Sequence, residues 1–217
     1  GRSVIAENTR NGSGGGVYNA TSATLRMAGQ SRIMGNSATT GGGGGVYASP
    51  SSSVVMTGSA AITGNAAPEG GGLRLLGATL AMDRSARVSG NTATNGMGGG
   101  ILASEGAITV DGDARITGNR AELSDGGGIA TNGPVTLAGA AVIAGNLAKN
   151  GGGVVVGEEG TITMSGGSLI RRNTATVMAG GLYAAMEGAT MGVTCGTNVR
   201  ANTAPLYADC YVYPPGG

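Results

Sequence analysis

The chain is built from copies of one unit, which reads Ser31-Arg32-Ile33-Met34-Gly35-Asn36-Ser37-Ala38 and then Gly43-Gly44-Gly45-Val46. Its asparagine recurs at intervals of 26 to 29 residues, with Ile or Val three positions before each copy. The recurring asparagines are Asn8, Asn36, Asn65, Asn91, Asn119, Asn146, Asn173 and Asn202. Self-similarity at a nearly fixed period is the signature of a repeat architecture.

Apolar residues alternate with other residues inside each unit, which is the period of a β-strand. Leu80 and Met82 are typical of one strand, Ala60 and Ile62 of a second, and Leu73, after the glycines, of a third. Stacking such coils about 4.8 Å apart buries apolar faces that no single coil can cover. We therefore predict an all-β, right-handed, single-stranded parallel β-helix with three strands in each coil of 26 to 29 residues. About seven coils would form one domain over residues 1–217.

The recurring asparagines are predicted to stack at one corner, where each side-chain amide bonds those above and below. The aliphatic residues after the glycines should point inward, with Leu206 as the last of them. Tyr18, Tyr47 and Tyr183 would form an outward column beside it, ending at Tyr207 and interrupted by Arg74, Leu102, Ala130 and Val155. These tyrosines are candidates for stacking on sugars or on a partner, although scattered surface aromatics are the simpler interpretation.

Composition excludes several classes of function. The chain of 217 residues has no His and a net charge of +1. Ser-His-Asp catalysis and His metal ligation are therefore excluded, and a strongly basic nucleic-acid surface is not indicated. No apolar run is long enough to span a membrane. The glycine clusters lack the Lys and Ser/Thr of a phosphate-binding loop, so we predict no cofactor.

The pairing of Ile33-Met34-Gly35-Asn36 with Gly43-Gly44-Gly45-Val46 resembles the repeats of right-handed parallel β-helix surface proteins. It is similar to the twin motif of chlamydial polymorphic outer-membrane proteins and related autotransporter passengers. Ile or Val replaces the Phe that this family favours, and Gly replaces its Ala. The resemblance covers the whole chain and implies a secreted or cell-surface scaffold or adhesin. It carries no catalytic residues over.

The two cysteines, Cys195 and Cys210, lie in the last tenth of the chain. The composition is rich in Gly, Thr and Ser, and the chain has a single pair of cysteines. These features indicate a secreted protein with one disulfide rather than a cytosolic protein with two free thiols. We predict that the disulfide pins the last coil and the C-terminal strand, residues 191–213.

Asp83, Asp111 and Asp113 are the best candidates for chemistry, as weak metal ligands or as the carboxylates of a polysaccharide-acting lyase or hydrolase. Arg84, Arg87 and Arg115 lie in the same stretch, so a solvated salt-bridge patch is favoured instead. Ice binding is a further alternative, because threonines occur at the two outward positions of the strand that carries the aliphatic pair. Of the seven coils, however, only the one with Thr161 and Thr163 has Thr at both of these positions.

The first residues already follow the repeat, and the last ones remain strand-like, without a capping helix at either end. The chain would then be a piece of a longer surface adhesin or, as we prefer, a subunit that stacks head to tail into a filament. The expected assembly residues are Ile5, Leu206, Tyr207, Tyr211 and Tyr213. The predicted function is that of an extracellular structural or adhesive protein without enzymatic activity. A surface glycan or a host-cell protein is a further candidate partner.

Overall fold

The computed structural model describes residues 1–184 and 189–212, and every regular element in these ranges is a β-strand. The strands stack in parallel into four sheets that run the length of the molecule. The predicted all-β solenoid of about seven coils is confirmed. Each complete coil contains the three predicted strands and a fourth, which directly follows the asparagine and in most coils has only two residues. Two residues are too few for alternation to be recognised in the sequence.

The strands are numbered in chain order. Sheet 1 contains β1 (Val4–Ala6), β5 (Arg32–Met34), β9 (Ala61–Thr63), β13 (Arg87–Ser89), β17 (Arg115–Thr117), β21 (Val142–Ala144), β25 (Leu169–Arg171) and β29 (Val199–Arg200). Sheet 2 contains β2 (Thr9–Arg10), β6 (Ser37–Ala38), β10 (Ala66–Ala67), β14 (Thr92–Ala93), β18 (Arg120–Ala121), β22 (Leu147–Asn150) and β26 (Thr174–Met178). Sheet 3 contains β3 (Val17–Asn19), β7 (Val46–Ala48), β11 (Leu73–Leu76), β15 (Ile101–Ser104), β19 (Ile129–Thr131), β23 (Val154–Val156), β27 (Leu182–Ala184) and β30 (Cys210–Val212). Sheet 4 contains β4 (Thr24–Met27), β8 (Ser53–Met56), β12 (Thr79–Met82), β16 (Ile108–Val110), β20 (Pro134–Leu137), β24 (Thr161–Met164) and β28 (Thr190–Gly192). No helix in the described ranges is long and apolar enough to cross a membrane.

The core is a continuous column of aliphatic side chains in which equivalent residues of successive coils lie opposite one another. Ile62 pairs with Ile33 on one side and with Val88 on the other. Leu73 of sheet 3 and Leu80 of sheet 4 belong to the same buried cluster. Since each side chain packs on its counterpart above and below, burial is repeated from coil to coil. At roughly 1.5–3 kcal/mol for each fully buried aliphatic side chain, this is the main stabilising term of the fold.

The predicted asparagine ladder is present along the corner between sheets 1 and 2. From Asn8 to Asn173, each side-chain Nδ2 donates to Oδ1 of the next asparagine at 2.8–3.0 Å. The backbone N–H of each donates to the same Oδ1 at 2.9–3.0 Å. From Asn36 onward, Nδ2 also donates to a main-chain carbonyl of the preceding coil at 3.0–3.1 Å. One side chain thereby joins three coils and satisfies the polar groups of its buried turn.

The glycine clusters allow the main chain to lie directly against this ladder. A Cβ atom on Gly72 would lie 2.9 Å from Nδ2 of Asn91 and 2.6 Å from the carbonyl oxygen of Gly100. The first glycine of each cluster, such as Gly70 with φ of 56°, has the left-handed conformation. Sterics and backbone conformation together therefore account for the repeated glycines.

The C-terminal coil departs from the predicted register. The residue opposite Leu182 is Cys210, not Leu206, and the residue opposite Tyr183 is Tyr211, not Tyr207. Leu206 and Tyr207 are exposed instead, at 52% and 57%. The prediction of these two positions was wrong because residues 203–208 lack the glycine cluster that marks the start of sheet 3 elsewhere. The chain enters sheet 3 at Cys210, which follows Asn202 by the same number of residues as Leu73 follows Asn65. Tyr213 lies outside the described residues.

Asp209 terminates the ladder in this altered coil. Its Oδ1 accepts from the backbone N–H of Asn202 at 3.0 Å and from Nδ2 of Asn202 at 3.1 Å. The Asp209 carboxylate therefore accepts from Asn202 the two hydrogen bonds that, in the other coils, the side-chain oxygen of the next asparagine accepts. A carboxylate accepts hydrogen bonds but has no N–H to pass onward, so the ladder ends here.

The predicted disulfide joins Cys195 to Cys210, with the Cα atoms 6.0 Å apart. Cys210 is the first residue of β30, which pairs with β27. Cys210 also packs against the main core cluster. The predicted pairing of the two cysteines is confirmed, and the bond links the first residue of the last strand of sheet 3 to Cys195.

Replacement of Asn119 by Ala is expected to lower the free energy of unfolding by about 1–3 kcal/mol, because it removes both donors and the acceptor of one rung. Asn119 is fully buried, and its loss leaves the two N–H donors of Asn91 without their acceptor. Denaturant unfolding measures the change. Thr136→Ala, at an exposed position of sheet 4, is the control and should change stability by less than about 0.5 kcal/mol. Equal stability of both variants and the wild type would show that the ladder contributes nothing.

Candidate functional site

The outer face of sheet 3 changes in character along the solenoid, from aromatic to apolar and charged and back to aromatic. Strand pairing places one outward residue from each coil in a single column. The column reads Tyr18, Tyr47, Arg74, Leu102, Ala130, Val155, Tyr183 and Tyr211. Tyrosines thus occupy both ends of the column, and smaller or charged residues occupy its centre.

The centre of the column forms the floor of a groove of about 510 Å³. Although they face outward, Leu102, Ala130 and Val155 are only 8%, 0% and 2% exposed. They form a second apolar cluster with Met97 and Tyr183. Met97 lies in the loop that precedes β15, so this loop forms part of the side of the groove.

Charged side chains line the groove. Nε of Arg74 donates to Oε1 of Glu69 at 3.0 Å, and Nη1 of Arg74 donates to Oγ of Ser104 at 2.9 Å. This arginine is therefore held and neutralised. Asp125 and Glu158 also line the groove, and within the described ranges neither has an ionic partner. The groove consequently carries an excess of negative charge.

Stacked rings lie at both ends of the column. The ring centroids of Tyr18 and Tyr47 are 5.1 Å apart with the planes at 18°, and the guanidinium of Arg10 lies 5.2 Å from the Tyr18 ring. At the other end, Tyr211 lies 5.4 Å from Tyr183 and 4.8 Å from Tyr207. Tyr207 thus joins the aromatic group from outside the column to which the sequence had assigned it.

Tyr183 has a distinct electrostatic environment. Burial raises its pKa above the ordinary value of 10.0, and the negative charge of Asp125 and the neighbouring Tyr211 raise it further. The phenol therefore stays protonated to a higher pH than an ordinary tyrosine and presents an O–H donor beside the acidic part of the groove.

The structure does not assemble the acidic residues proposed from the sequence into a metal site. Oδ1 of Asp83 accepts from the N–H of Arg84 at 2.5 Å, and Oδ1 of Asp111 accepts from the N–H of Gly112 at 2.6 Å. These bonds are local turn contacts. Over residues 1–184 and 189–212, no group of three or more His, Cys, Asp or Glu side chains is placed to hold a metal ion, and Asp113 completes none. The predicted salt-bridge patch is also absent, since the ion pairs in these ranges involve Arg74 and Arg120.

The groove itself was not predicted from the sequence. The sequence feature that marks the groove is the replacement of tyrosine by Leu102, Ala130 and Val155 in the centre of the column. In the sequence alone, this replacement suggests only that the row of exposed aromatic residues is interrupted. Apolar residues at three successive outward positions indicate a covered surface, because a solvated strand face usually carries polar residues.

Comparison of the chain with family models, with curated proteins and with solved structures found no match in any of the three. The function of the chain is therefore inferred from the geometry of its described residues.

Ionisation of Tyr183 should be detectable as the difference between the alkaline absorbance titrations of the wild type and Tyr183→Phe. Its midpoint is expected above pH 10.0, and Asp125→Asn should lower it only in part because burial is the larger cause. Since the folded-state pKa is raised, the stability contributed by the neutral phenol is present below pH 10.0 and is lost as the pH rises through the folded-state pKa. A midpoint at or below 10.0 would contradict this environment.

Proposed function

We propose that this protein is an extracellular structural β-solenoid with an adhesive surface, and that it acts without catalysing a reaction. The observation that carries the proposal is the uninterrupted ladder and core, which continue through every coil from Asn8 to Asn202. Eight strands in sheet 1 at a spacing of about 4.8 Å make a rod about 34 Å long. Such a rod holds surface residues at regular distances.

The disulfide supports an oxidising compartment. Cys195 and Cys210 are bonded to each other, and no free cysteine remains in the described part of the chain. Disulfides of this kind persist in secreted and cell-surface proteins and are rare in the cytosol. The resemblance of the repeats to those of bacterial surface proteins points the same way.

The groove on sheet 3 supports an adhesive role. Tyr18 is 50% exposed and stacks on Tyr47, so a partner can meet a flat aromatic surface at one end of the column. The centre offers an apolar floor with carboxylates at its edge. Exposed rings beside polar side chains suit a sugar, which has both C–H faces and hydroxyl groups, or a protein surface.

A polysaccharide-acting enzyme is the second candidate, because Asp125 and Glu158 share this groove. Glycoside hydrolysis uses two carboxylates that flank the scissile bond. Oδ1 of Asp125, however, already accepts a hydrogen bond from Nδ2 of Asn150 at 2.9 Å. Release of new chain ends from a panel of polysaccharides, lost in Asp125→Asn and Glu158→Gln, would favour the enzyme over the scaffold.

The oxidised protein is expected to be more stable than the Cys195→Ser/Cys210→Ser variant by roughly 3 kcal/mol, because the bond closes a loop of 15 residues. Denaturant unfolding measures this difference, with reductant added to the wild type as an independent route to the same state. Thiol counting by mass spectrometry tests the compartment. Two free thiols in freshly isolated native protein would contradict the extracellular assignment.

Head-to-tail association remains part of the proposal. Val4 and Ile5 of β1 are 55% and 37% exposed, and Leu206 and Val212 at the other end are 52% and 46% exposed. Ile5→Asp should abolish polymers seen by sedimentation and lower the melting temperature by less than a charge in the fully buried core would, since this residue is 37% exposed. Thr136→Asp is the control of equal charge. Monodisperse particles of 20.8 kDa from the unaltered chain at high concentration would refute association.

A further inference from the structure

Sheet 1 concentrates positive charge on its outer face. Its eight strands contain Arg32, Arg87, Arg115, Arg171 and Arg200 and no acidic residue. The whole chain has 13 basic and 12 acidic residues, so the other eight basic residues are outnumbered and the remainder carries a net charge of −4. A net charge of +1 therefore conceals one strongly basic face and an acidic remainder.

Strand pairing brings like charges together on this face. Arg87 lies directly opposite Arg115, and Arg171 lies opposite Arg200. Neighbouring strands are about 4.8 Å apart, and like charges at opposed positions destabilise a sheet. Over the described residues, none of these arginines belongs to an ion pair, and the buried Nε of Arg171 has no hydrogen-bond acceptor. The paired arginines of sheet 1 therefore repel each other, and no acidic side chain of the described residues neutralises them.

A cleft of about 380 Å³ opens between two of these arginines. Arg32 and Arg87 are two coils apart, and Ala61 on the strand between them supplies only a methyl group. Gln30 and Ser59 line the same cleft. Beyond Arg32, a second cleft of about 270 Å³ is lined by Arg2 and Arg32. Guanidinium groups therefore flank successive small depressions along the axis of the rod.

We propose that this face, the arginine face, binds an acidic polysaccharide that lies along the solenoid axis. Arginine pairs with sulfate and carboxylate groups through two parallel hydrogen bonds, which matches the groups that such polymers carry. The spacing of the coils is close to the length of a sugar ring, so charges repeated along a glycan chain can meet the two pairs of arginines that lie on adjacent coils, Arg87 with Arg115 and Arg171 with Arg200. Gln30, Ser59 and Thr63 add donors and acceptors suited to sugar hydroxyls.

The chemistry of the face favours a glycan over single-stranded nucleic acid. Proteins that bind single strands stack the bases on aromatic side chains. The strands of sheet 1 contain no aromatic residue, whereas all five tyrosines among the described residues lie in sheet 3 or beside it. The face therefore offers charge and hydroxyl groups without a stacking platform. The inference rests on the proposed extracellular function only in that acidic glycans are the polyanions of that compartment.

Binding of the intact chain to heparin, used as a sulfated and carboxylated probe, tests the inference. We expect saturable binding that weakens steeply between about 50 and 200 mM salt, with uncharged dextran as the negative control. Arg87→Gln/Arg115→Gln should weaken binding by roughly tenfold or more. Its melting temperature should equal or exceed that of the wild type, because a like-charge contact has been removed. Loss of binding could then not be ascribed to unfolding.

Arg26→Gln/Lys149→Gln is the matched control, since it removes the same charge from exposed positions of sheets 4 and 2 that belong to no ion pair in the described ranges. It should change the affinity by less than about twofold. Equal losses in both double variants, or no binding of heparin by the wild type at low salt, would overturn the proposal. Binding of single-stranded DNA as tight as that of heparin, and lost in the same variant, would overturn the glycan assignment. None of these outcomes bears on the disulfide and self-association measurements, which test the scaffold separately.

Discussion

The asparagine ladder is the constraint on which the rest of the solenoid depends. Each amide must lie within hydrogen-bond distance of the amides above and below it. Every coil must therefore place its asparagine at the same corner, directly over the asparagine of the coil before it. This requirement places the glycine cluster that precedes each strand of sheet 3 against the ladder, where no Cβ atom fits. The glycine content, the parallel pairing and the in-register aliphatic columns all result from that one repeated contact. Variation is left to the outward positions, and the surface differences between coils lie there.

The repeat predicted the fold because the residues that define it are periodic and buried. Asn, Gly and the inward aliphatics could each be assigned from spacing alone, and the disulfide from the isolation of its two cysteines. The fourth strand escaped prediction because two residues show no alternation. The last coil was assigned the wrong register because the glycine cluster that precedes sheet 3 in the other coils is replaced there by Tyr207-Ala208-Asp209. At non-glycine positions such as Arg172 and Ala201, the left-handed conformation is imposed by the repeat against local preference.

Surface properties were harder to predict, because residues that meet on one face are separated by a whole coil in the sequence. Arg87 and Arg115 are 28 positions apart and become direct neighbours only through strand pairing. A net charge close to zero suggested that the protein has no surface for binding a polyanion. That inference is valid only if positive and negative charges are evenly distributed over the surface. Leu102, Ala130 and Val155 likewise looked like gaps in an aromatic column until their burial showed a groove.

The ladder also has a direction. Within the ladder, each Nδ2 donates to an Oδ1 of the coil that comes after it, and from Asn36 onward each Oδ1 accepts from the coil before it. The side-chain amide dipoles are therefore aligned along the axis, as peptide dipoles are in an α-helix. The column is in effect a macrodipole made of side chains, and the carboxylate of Asp209 supplies a counter-charge at its positive end. At the Asn8 end, where the ladder presents an Oδ1 acceptor, a coil added in the opposite sense would bring acceptor against acceptor. A solenoid with this corner can therefore be extended in only one orientation, and it is electrically as well as sterically polar.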